Sequence, residues 1–196
     1  MSSEKIKVMI VEDDPDFIFL TKKRLLSEPN ISYVGDASNR IDACDLAHSV
    51  NPDIILMDLN LTANELDGIE TAKRIRCSTQ SKILIVSSFE DYDTLIKACV
   101  KSFASGYIFK SQYESLIQTI NFTANGITPQ EYLIHSLIMN QLSDAEKLVL
   151  HNLIGEKIKM HSSAKTIANQ KTSILKKLGL NNQNEIIHIF NHYCQL

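Results

Sequence analysis

Two rhythms of apolar residues divide the front of the chain. At 6–11, 31–34, 53–57, 83–86 and 107–109 apolar residues, mostly Ile, Leu, Val and Met, run almost without interruption, whereas the stretches between them repeat apolar residues every three or four positions. Short unbroken runs predict strands covered on both faces, and the spaced repeats predict amphipathic helices. Strands alternating with helices predict a parallel sheet with crossover helices. The clearest helix carries Tyr92, Leu95, Ile96, Cys99, Val100 and Phe103 on one face, and the next carries Tyr113, Leu116, Ile117 and Ile120. Both are expected to pack that face on the sheet. The fold class predicted is α/β, a doubly wound five-stranded parallel sheet.

Asn125-Gly126-Ile127-Thr128-Pro129 is the strongest cluster of chain breakers and is expected to end the last helix of this domain. The sheet domain is therefore placed at 1–124, a linker with room for a short helix at 125–141, and a small all-α domain at 142–196. Ser143-Asp144-Ala145-Glu146 has the form of a capping box opening a helix, with Ala145, Leu148, Val149 and Leu153 expected to face inward. Ser162 or Ser163 opens a second helix with Ile167, Ile174, Leu175 and Leu178 on one face and Gly179 as its stop. A third carries Ile186, Ile189, Phe190 and Tyr193.

A hydrophobic fraction of 44% and a charged fraction of 22% are those of a folded globular protein and argue against a disordered chain. No apolar stretch approaches the ~18 residues that span a bilayer. The opening residues have no secretory character, so a cytoplasmic location without membrane attachment is expected. Cys44, Cys77, Cys99 and Cys194 form no Cys-x-x-Cys pair, which fits reduced thiols rather than a metal knuckle. The net charge of -3 conceals an asymmetry: residues 1–120 hold 13 Lys and Arg against 18 Asp and Glu, and residues 142–196 hold 7 against 4. A basic second domain admits a polyanion partner, although a solvated helical surface reaches the same balance by chance.

Ligands of open parallel sheets bind beyond the carboxyl ends of the strands. Glu12, Asp13 and Asp14 follow the first run, Asp58 the third, Ser87 and Ser88 the fourth, and Lys110 the fifth. Singly, each has an ordinary explanation: acids cap helices, serines make turns, and a lysine sits at the surface. Together they bring carboxylates and one lysine to a single sheet edge. Unpaired carboxylates there need a divalent cation, and oxygen-only donors select a hard one such as Mg2+. The set reads as a metal-assisted phosphoryl acceptor, with Asp58 as nucleophile, Lys110 and Mg2+ neutralising the transferring oxygens, and Ser87 hydrogen-bonding the product. An aspartyl phosphatase, the enzymatic alternative, needs a second acid two residues after the nucleophile, a role Asn60 cannot fill.

Val8-Met9-Ile10-Val11-Glu12-Asp13-Asp14-Pro15, Pro52-Asp53-Ile54-Ile55-Leu56-Met57-Asp58-Leu59, Val86-Ser87-Ser88 and Ser105-Gly106-Tyr107-Ile108-Phe109-Lys110 resemble the receiver domain of two-component response regulators, over residues 5–122. The resemblance implies a flavodoxin-like receiver whose Asp58 is loaded by a sensor histidine kinase, with Ser87 and Lys110 assisting. It implies Mg2+ held by Glu12, Asp13, Asp58 and the main-chain carbonyl of Asn60, and a switch pair of Ser87 and Tyr107. It further implies that the side chains of Asn60 and Phe89 flank the approach of hydrolysing water, and that Asp14 stands outside the acidic pair. Such a protein assists its own phosphorylation and dephosphorylation and is otherwise not an enzyme. The loop from Asn60 to Gly68 departs from the family in lacking its usual proline and in being longer by about two residues.

The segment from Leu142 to Leu150 and that from Thr166 to Leu180 resemble the helix-turn-helix output domain of the NarL/FixJ/LuxR subfamily. That implies a recognition helix in the major groove of DNA, with Lys165, Thr166, Asn169, Gln170 and Thr172 turned to the bases and Lys176 and Lys177 near phosphate. A homodimer would align two such domains. Two departures stand against this: residues 155–165 are about six too few for a scaffold helix and its turn, and Ala168 sits where the subfamily commonly has lysine. The scaffold helix is expected to be shortened or lost. Two readings follow, a phosphorylation-controlled transcription regulator and a receiver whose degenerate helical tail serves dimerisation or protein docking without DNA.

Overall fold

The structure is a computed structural model that describes residues 4–61, 67–88, 91–159 and 162–191. Strands β1 (Ile6–Val11), β2 (Ile31–Ala37), β3 (Ile54–Met57), β4 (Lys82–Ser87) and β5 (Gly106–Phe109) pair in the order β2-β1-β3-β4-β5, all parallel. Helices α1 (Pro15–Leu26), α2 (Arg40–Val50), α3 (Asp67–Arg76), α4 (Tyr92–Ser102) and α5 (Leu116–Ala124) alternate with them, giving the doubly wound sheet that the apolar runs predict. Strand order reverses between β1 and β3, so the polar residues that leave these two strands share one crevice.

Successive strand residues point to opposite faces. Val8, Ile10, Ile54, Leu56, Leu84, Val86 and Ile108 accordingly form one buried layer with Leu25 of α1 and Leu116, Ile117 and Ile120 of α5. Met9, Val11, Ile55, Met57, Ile83 and Ile85 are equally buried and point to the other face. There α3 packs against both α2 and α4. At about 1.5–3 kcal/mol for each buried aliphatic side chain, these layers hold the strand ends in place beneath the crevice.

Two helices depart from their expected faces. In α4, Leu95, Cys99 and the following Phe103 are buried, but Tyr92 is 61% and Ile96 41% exposed. Tyr92 packs edge-on against Phe109 of β5 instead of the sheet. The segment after Lys110 begins as a 3₁₀ turn (Lys110–Ser115), and Tyr113 lies in that turn with its ring edge-on to Phe17.

The breaker cluster does end α5, but α6 (Pro129–Met139) follows at once, and the division between two compact units falls inside it, between Ile134 and His135. Residues 125–134, read as linker from the sequence, lie in the first unit. Lys82 at the start of β4 donates to the carbonyls of Thr123 at 2.9 Å and Gly126 at 2.6 Å and pairs with Glu131 at 3.0 Å.

The second unit holds α7 (Asp144–Leu153), α8 (Ala164–Leu178) and α9 (Gln183–Phe190). The capping box is present: the Ser143 hydroxyl accepts from the Glu146 N–H at 3.3 Å, and the Glu146 carboxylate accepts from the Ser143 N–H at 2.7 Å. The inner face of α7 is Glu146, Val149 and Leu150, whereas Ala145 is exposed and Leu148 47% exposed, contrary to expectation. The cause is Glu146, drawn inward by Lys177 and Ser173 of α8, each at 2.6 Å from its carboxylate. Ser163 caps α8 and Gly179, at φ 63°, stops it in the left-handed region where glycine is strain-free. Ile174, Leu178, Ile186, Ile189 and Phe190 are buried, Ile167 and Leu175 half-buried, and Tyr193 lies outside the described residues. Among the described residues between α7 and α8 there is no helix, where the scaffold helix was expected to be shortened or lost.

Burial pushes the Glu146 carboxyl up, but hydrogen bonds from Lys177, Ser173 and Ser143 outweigh it and hold it at about 2. A carboxylate so depressed stabilises the fold fully above its ordinary value of 4.5 and progressively less as the pH falls toward 2. Glu146→Gln should therefore lower stability in urea melts at pH 7 by about 1–3 kcal/mol. The gap to wild type should narrow by pH 3; a gap as wide there as at pH 7 would contradict the assignment.

Candidate functional site

The pairing of β1 with β3 sets Val11 beside Met57, and the Asp58 N–H donates to the Val11 carbonyl at 2.9 Å, so Glu12 and Asp58 leave the sheet side by side. Glu12, Asp13 and Asp58 each offer a carboxylate oxygen within 4.8 Å of the others. Lys110, the first residue after β5, closes the group: its Nζ is 2.5 Å from Glu12 Oε2 and 3.2 Å from Asp58 Oδ2. Glu12 is 2% and Asp58 7% exposed, and Asp13 faces solvent. The four residues taken from three strand ends thus meet.

Burial pushes the Glu12 carboxyl up, the hydrogen bond from Lys110 pulls it down, and the Asp58 charge adds to the rise, leaving it at about 7. Burial works against the Lys110 ammonium, but Glu12 and Asp58 outweigh it and raise its pKa, so the lysine stays charged. Three carboxyl groups around one ammonium leave an excess of negative character in a partly buried, all-oxygen site. That donor set fits a hard divalent cation.

Two residues not singled out from the sequence position this group. Asp14 caps α1, accepting from the N–H groups of Asp16 and Phe17 at 2.9 and 3.3 Å. The turn so fixed carries Phe17, whose ring centroid lies 4.5 Å from Lys110 Nζ. Such a cation–π contact contributes about 0.5–2 kcal/mol and holds the ammonium over the carboxylates. The second is Gly68, whose N–H donates to the Leu59 carbonyl at 3.1 Å. A Cβ there would lie 2.1 Å from the Asp58 carbonyl oxygen and 2.8 Å from Leu59 Cα, so the first turn of α3 lies directly on the peptide of Asp58. Asp58 Oδ1 accepts from the Leu59 N–H at 2.7 Å, while Oδ2 faces Lys110.

Ser87 ends β4 fully buried. Tyr107 lies on the next strand, in register with Ile85, its ring half-buried and edge-on to Phe109. Asn60 sits half-buried two residues beyond Asp58. Phe89 and the 62–66 stretch of the atypical loop lie outside the described residues.

In the second unit Lys165, Asn169, Thr172 and Lys176 are exposed and spaced four, three and four apart, which makes them one stripe on the side of α8 opposite Ile174 and Leu178. The other candidates lie off this stripe. Thr166 Oγ1 is bonded to the Ser163 hydroxyl at 2.9 Å within the helix cap. Gln170, one turn before the buried Ile174, has its amide oxygen buried without a hydrogen-bond partner. Lys177, expected near phosphate, is bonded to Glu146. The four-residue offsets to Glu146's partner Ser173 and to Ile174 already carried this signal.

Residues 8–121 match the family model of the response regulator receiver domain. The nitrate/nitrite response regulator protein NarL of Escherichia coli K12 is 29% identical over 126 residues, covering 64% of this chain and 57% of NarL, so the match spans little more than half of that relative. The transcriptional regulatory protein YdfI of Bacillus subtilis is 30% identical over 205 residues, covering 93% of this chain and 94% of YdfI. A crystal structure of a LuxR-family two-component response regulator from Aurantimonas superposes with a TM-score of 0.58 at 27% identity, over 70% of this chain and 98% of that one. No helix among the described residues is long and apolar enough to cross a membrane.

Gly68→Ala tests the contact between α3 and the peptide of Asp58. The added methyl should cost about 1–3 kcal/mol in a urea melt through the backbone shift it forces. It should also slow the appearance of a phosphoryl adduct with acetyl phosphate and Mg2+, followed by mass spectrometry. Wild-type stability and rate in this variant would show that α3 does not bear on the Asp58 peptide.

Proposed function

The chain belongs to the response regulator receiver domain family, with LuxR-type response regulators among its relatives, and from that premise we propose that it is a transcription regulator controlled by phosphorylation of Asp58. The observation that carries the reading is the placement of a charged Lys110 ammonium within 3.2 Å of both Glu12 and Asp58. A cluster of buried carboxylates around one lysine at a sheet end has no evident stabilising advantage over apolar residues in all of those places. The lysine is well suited to accompany a carboxylate that acquires a phosphoryl group.

Glu12, Asp13, Asp58 and the main-chain carbonyl of Asn60 would hold Mg2+. When bound, the ion supplies positive charge against the phosphoryl oxygens. The Asp58 carboxylate attacks the phosphorus of a phosphohistidine on a sensor kinase. A P–O bond forms as the P–N bond breaks, and the imidazole leaves with a proton taken from solvent. Lys110, held by Glu12 and by the Phe17 ring, follows the charge from the free carboxylate to a phosphoryl oxygen. Ser87, at the end of β4, donates its hydroxyl to another of these oxygens, and Tyr107 turns into the space that Ser87 vacates. A homodimer assembled on the face of α4, β5 and α5 would then set two output units on DNA.

YdfI, aligned over almost all of both chains, is a transcriptional regulatory protein, which supports a transcriptional output. The stripe of Lys165, Asn169, Thr172 and Lys176 is the surface suited to DNA: asparagine reads adenine, and the lysines position on phosphate. This reading places the protein in the cytoplasm. One observation favours the alternative of a docking or dimerisation module without DNA. Along α8, a groove of about 490 Å³ lined by Ala164, Ile167, Ala168, Lys171, Thr172 and Leu175 and by Gln183 of α9 lies open.

The two outputs separate in a mobility-shift titration of the full chain with mixed-sequence duplex DNA, with and without acetyl phosphate and Mg2+. Salt-dependent binding is expected, and Lys165→Ala and Lys176→Ala should each weaken it and flatten the log–log salt slope by about 1. Failure to bind at low salt, with self-association that rises on phosphorylation, would replace transcription with the docking role.

A further inference from the structure

A strand at the edge of a sheet carries main-chain N–H groups that no neighbouring strand accepts. Among the described residues β5 pairs with β4 alone, yet its Tyr107 N–H is taken up by the protein itself: Gln130 of α6 accepts from it through Oε1 at 3.1 Å. This approach depends on the lack of a side chain at residue 106. A Cβ on Gly106 would lie 2.8 Å from that same Oε1 and 3.3 Å from Leu84 Cδ1. The next residue of α6, the buried Glu131, pairs with Lys82 at 3.0 Å, and Lys82 also holds the carbonyls of Thr123 in the last turn of α5 and of Gly126 just beyond that helix. The first turn of α6 is thereby tied to the two edge-most strands through polar side chains.

The two ends of β5 are occupied by different business. Its last residue precedes Lys110 in the acidic site, and its first two residues lie at Gln130. The strand between is only four residues long and extended, with no loop to absorb a displacement. If a shift of Lys110 toward a new charge on Asp58, or a turn of the Tyr107 ring, draws the β5 backbone with it, the displacement reaches the Tyr107 N–H and its acceptor.

We infer that Gln130, through Tyr107, latches α6 to the switch strand, with the Lys82–Glu131 pair as the fixed point about which the helix is released or reseated. The inference rests on the proposed roles of Asp58 and Tyr107. It assigns to α6, which leads the chain out of the first unit, the task of registering the state of the acceptor.

Hydrogen exchange of the full chain, followed by peptide mass spectrometry beside the intact mass of each sample, tests it. In the unphosphorylated protein, Gln130→Leu should speed exchange of the Tyr107 amide about fivefold. Gly106→Ala, which displaces Gln130 while leaving it in the chain, should do the same, and Gln130→Glu, which keeps an acceptor, should not. With acetyl phosphate and Mg2+, exchange over residues 128–139 should change in the wild type, and not in Asp58→Ala. In Gln130→Leu the phosphoryl adduct should form and the change over 128–139 be lost. If Gln130→Leu carries the adduct and responds like the wild type, or if the modified wild type shows no response over 128–139, the latch is wrong while the acceptor reading stands. If no adduct forms on the wild type, the acceptor reading falls and the relay falls with it.

Discussion

The site depends on holding several carboxylates and one ammonium together where water is scarce. Glu12 and Asp58 are both buried at adjacent strand ends, and the only cation among the residues grouped there is Lys110, which reaches them from β5. Bringing these charges out of water is costly, and the attraction between them repays it only in part. The surrounding fold supplies the rest: two apolar layers fix β1, β3 and β5, Phe17 supports the ammonium, and Gly68 lets α3 close onto the Asp58 peptide. Burial, with the Asp58 charge adding to it, lifts the carboxyl of Glu12 to about 7 against the pull of Lys110. A divalent cation is the addition that such an excess of carboxyl groups favours, and its charge would in turn accommodate a phosphoryl group on Asp58.

What the sequence made legible follows from how local each signal is. Five nearly unbroken apolar runs read as strands of a covered parallel sheet, although β2 and β5 at its edges are only partly buried, and residues just beyond such strands meet at one edge, so the acidic group and its lysine were readable by number. Faces of helices were less so. The apolar residues of α4 span a wider arc than the sheet can cover, leaving Tyr92 and Ile96 outside. In α7 a glutamate that looks like a simple cap residue turned the helix, because its partners Ser173 and Lys177 lie 27 and 31 residues away. Phe17 went unremarked for the same reason, since it acts on Lys110, far off in the chain, and Gly68 because its contact with the nearby Asp58 peptide depends on how α3 packs. The breaker cluster at 125–129 was read as the end of a domain, but Lys82 and Glu131, 49 residues apart, draw the segment back onto it.

The two units differ in how far they follow their family pattern. In the first, Glu12, Asp13, Asp58 and Lys110 meet at the strand ends, and the departure read from the sequence lies in the loop after Asp58. The second keeps a capped α7 and a glycine-stopped α8 but has no helix between them among the described residues, and its candidate DNA stripe is narrowed to Lys165, Asn169, Thr172 and Lys176. The first turn of α6 is bonded to β5 through Gln130 rather than hanging free.

Intact-mass spectrometry of the wild type and of Asp58→Ala, after incubation with acetyl phosphate and Mg2+, tests the central claim most directly. The account predicts a single Mg2+-dependent phosphoryl adduct on the wild type and none on Asp58→Ala. An adduct that persists in Asp58→Ala, or a wild type that stays unmodified while remaining folded, would contradict it.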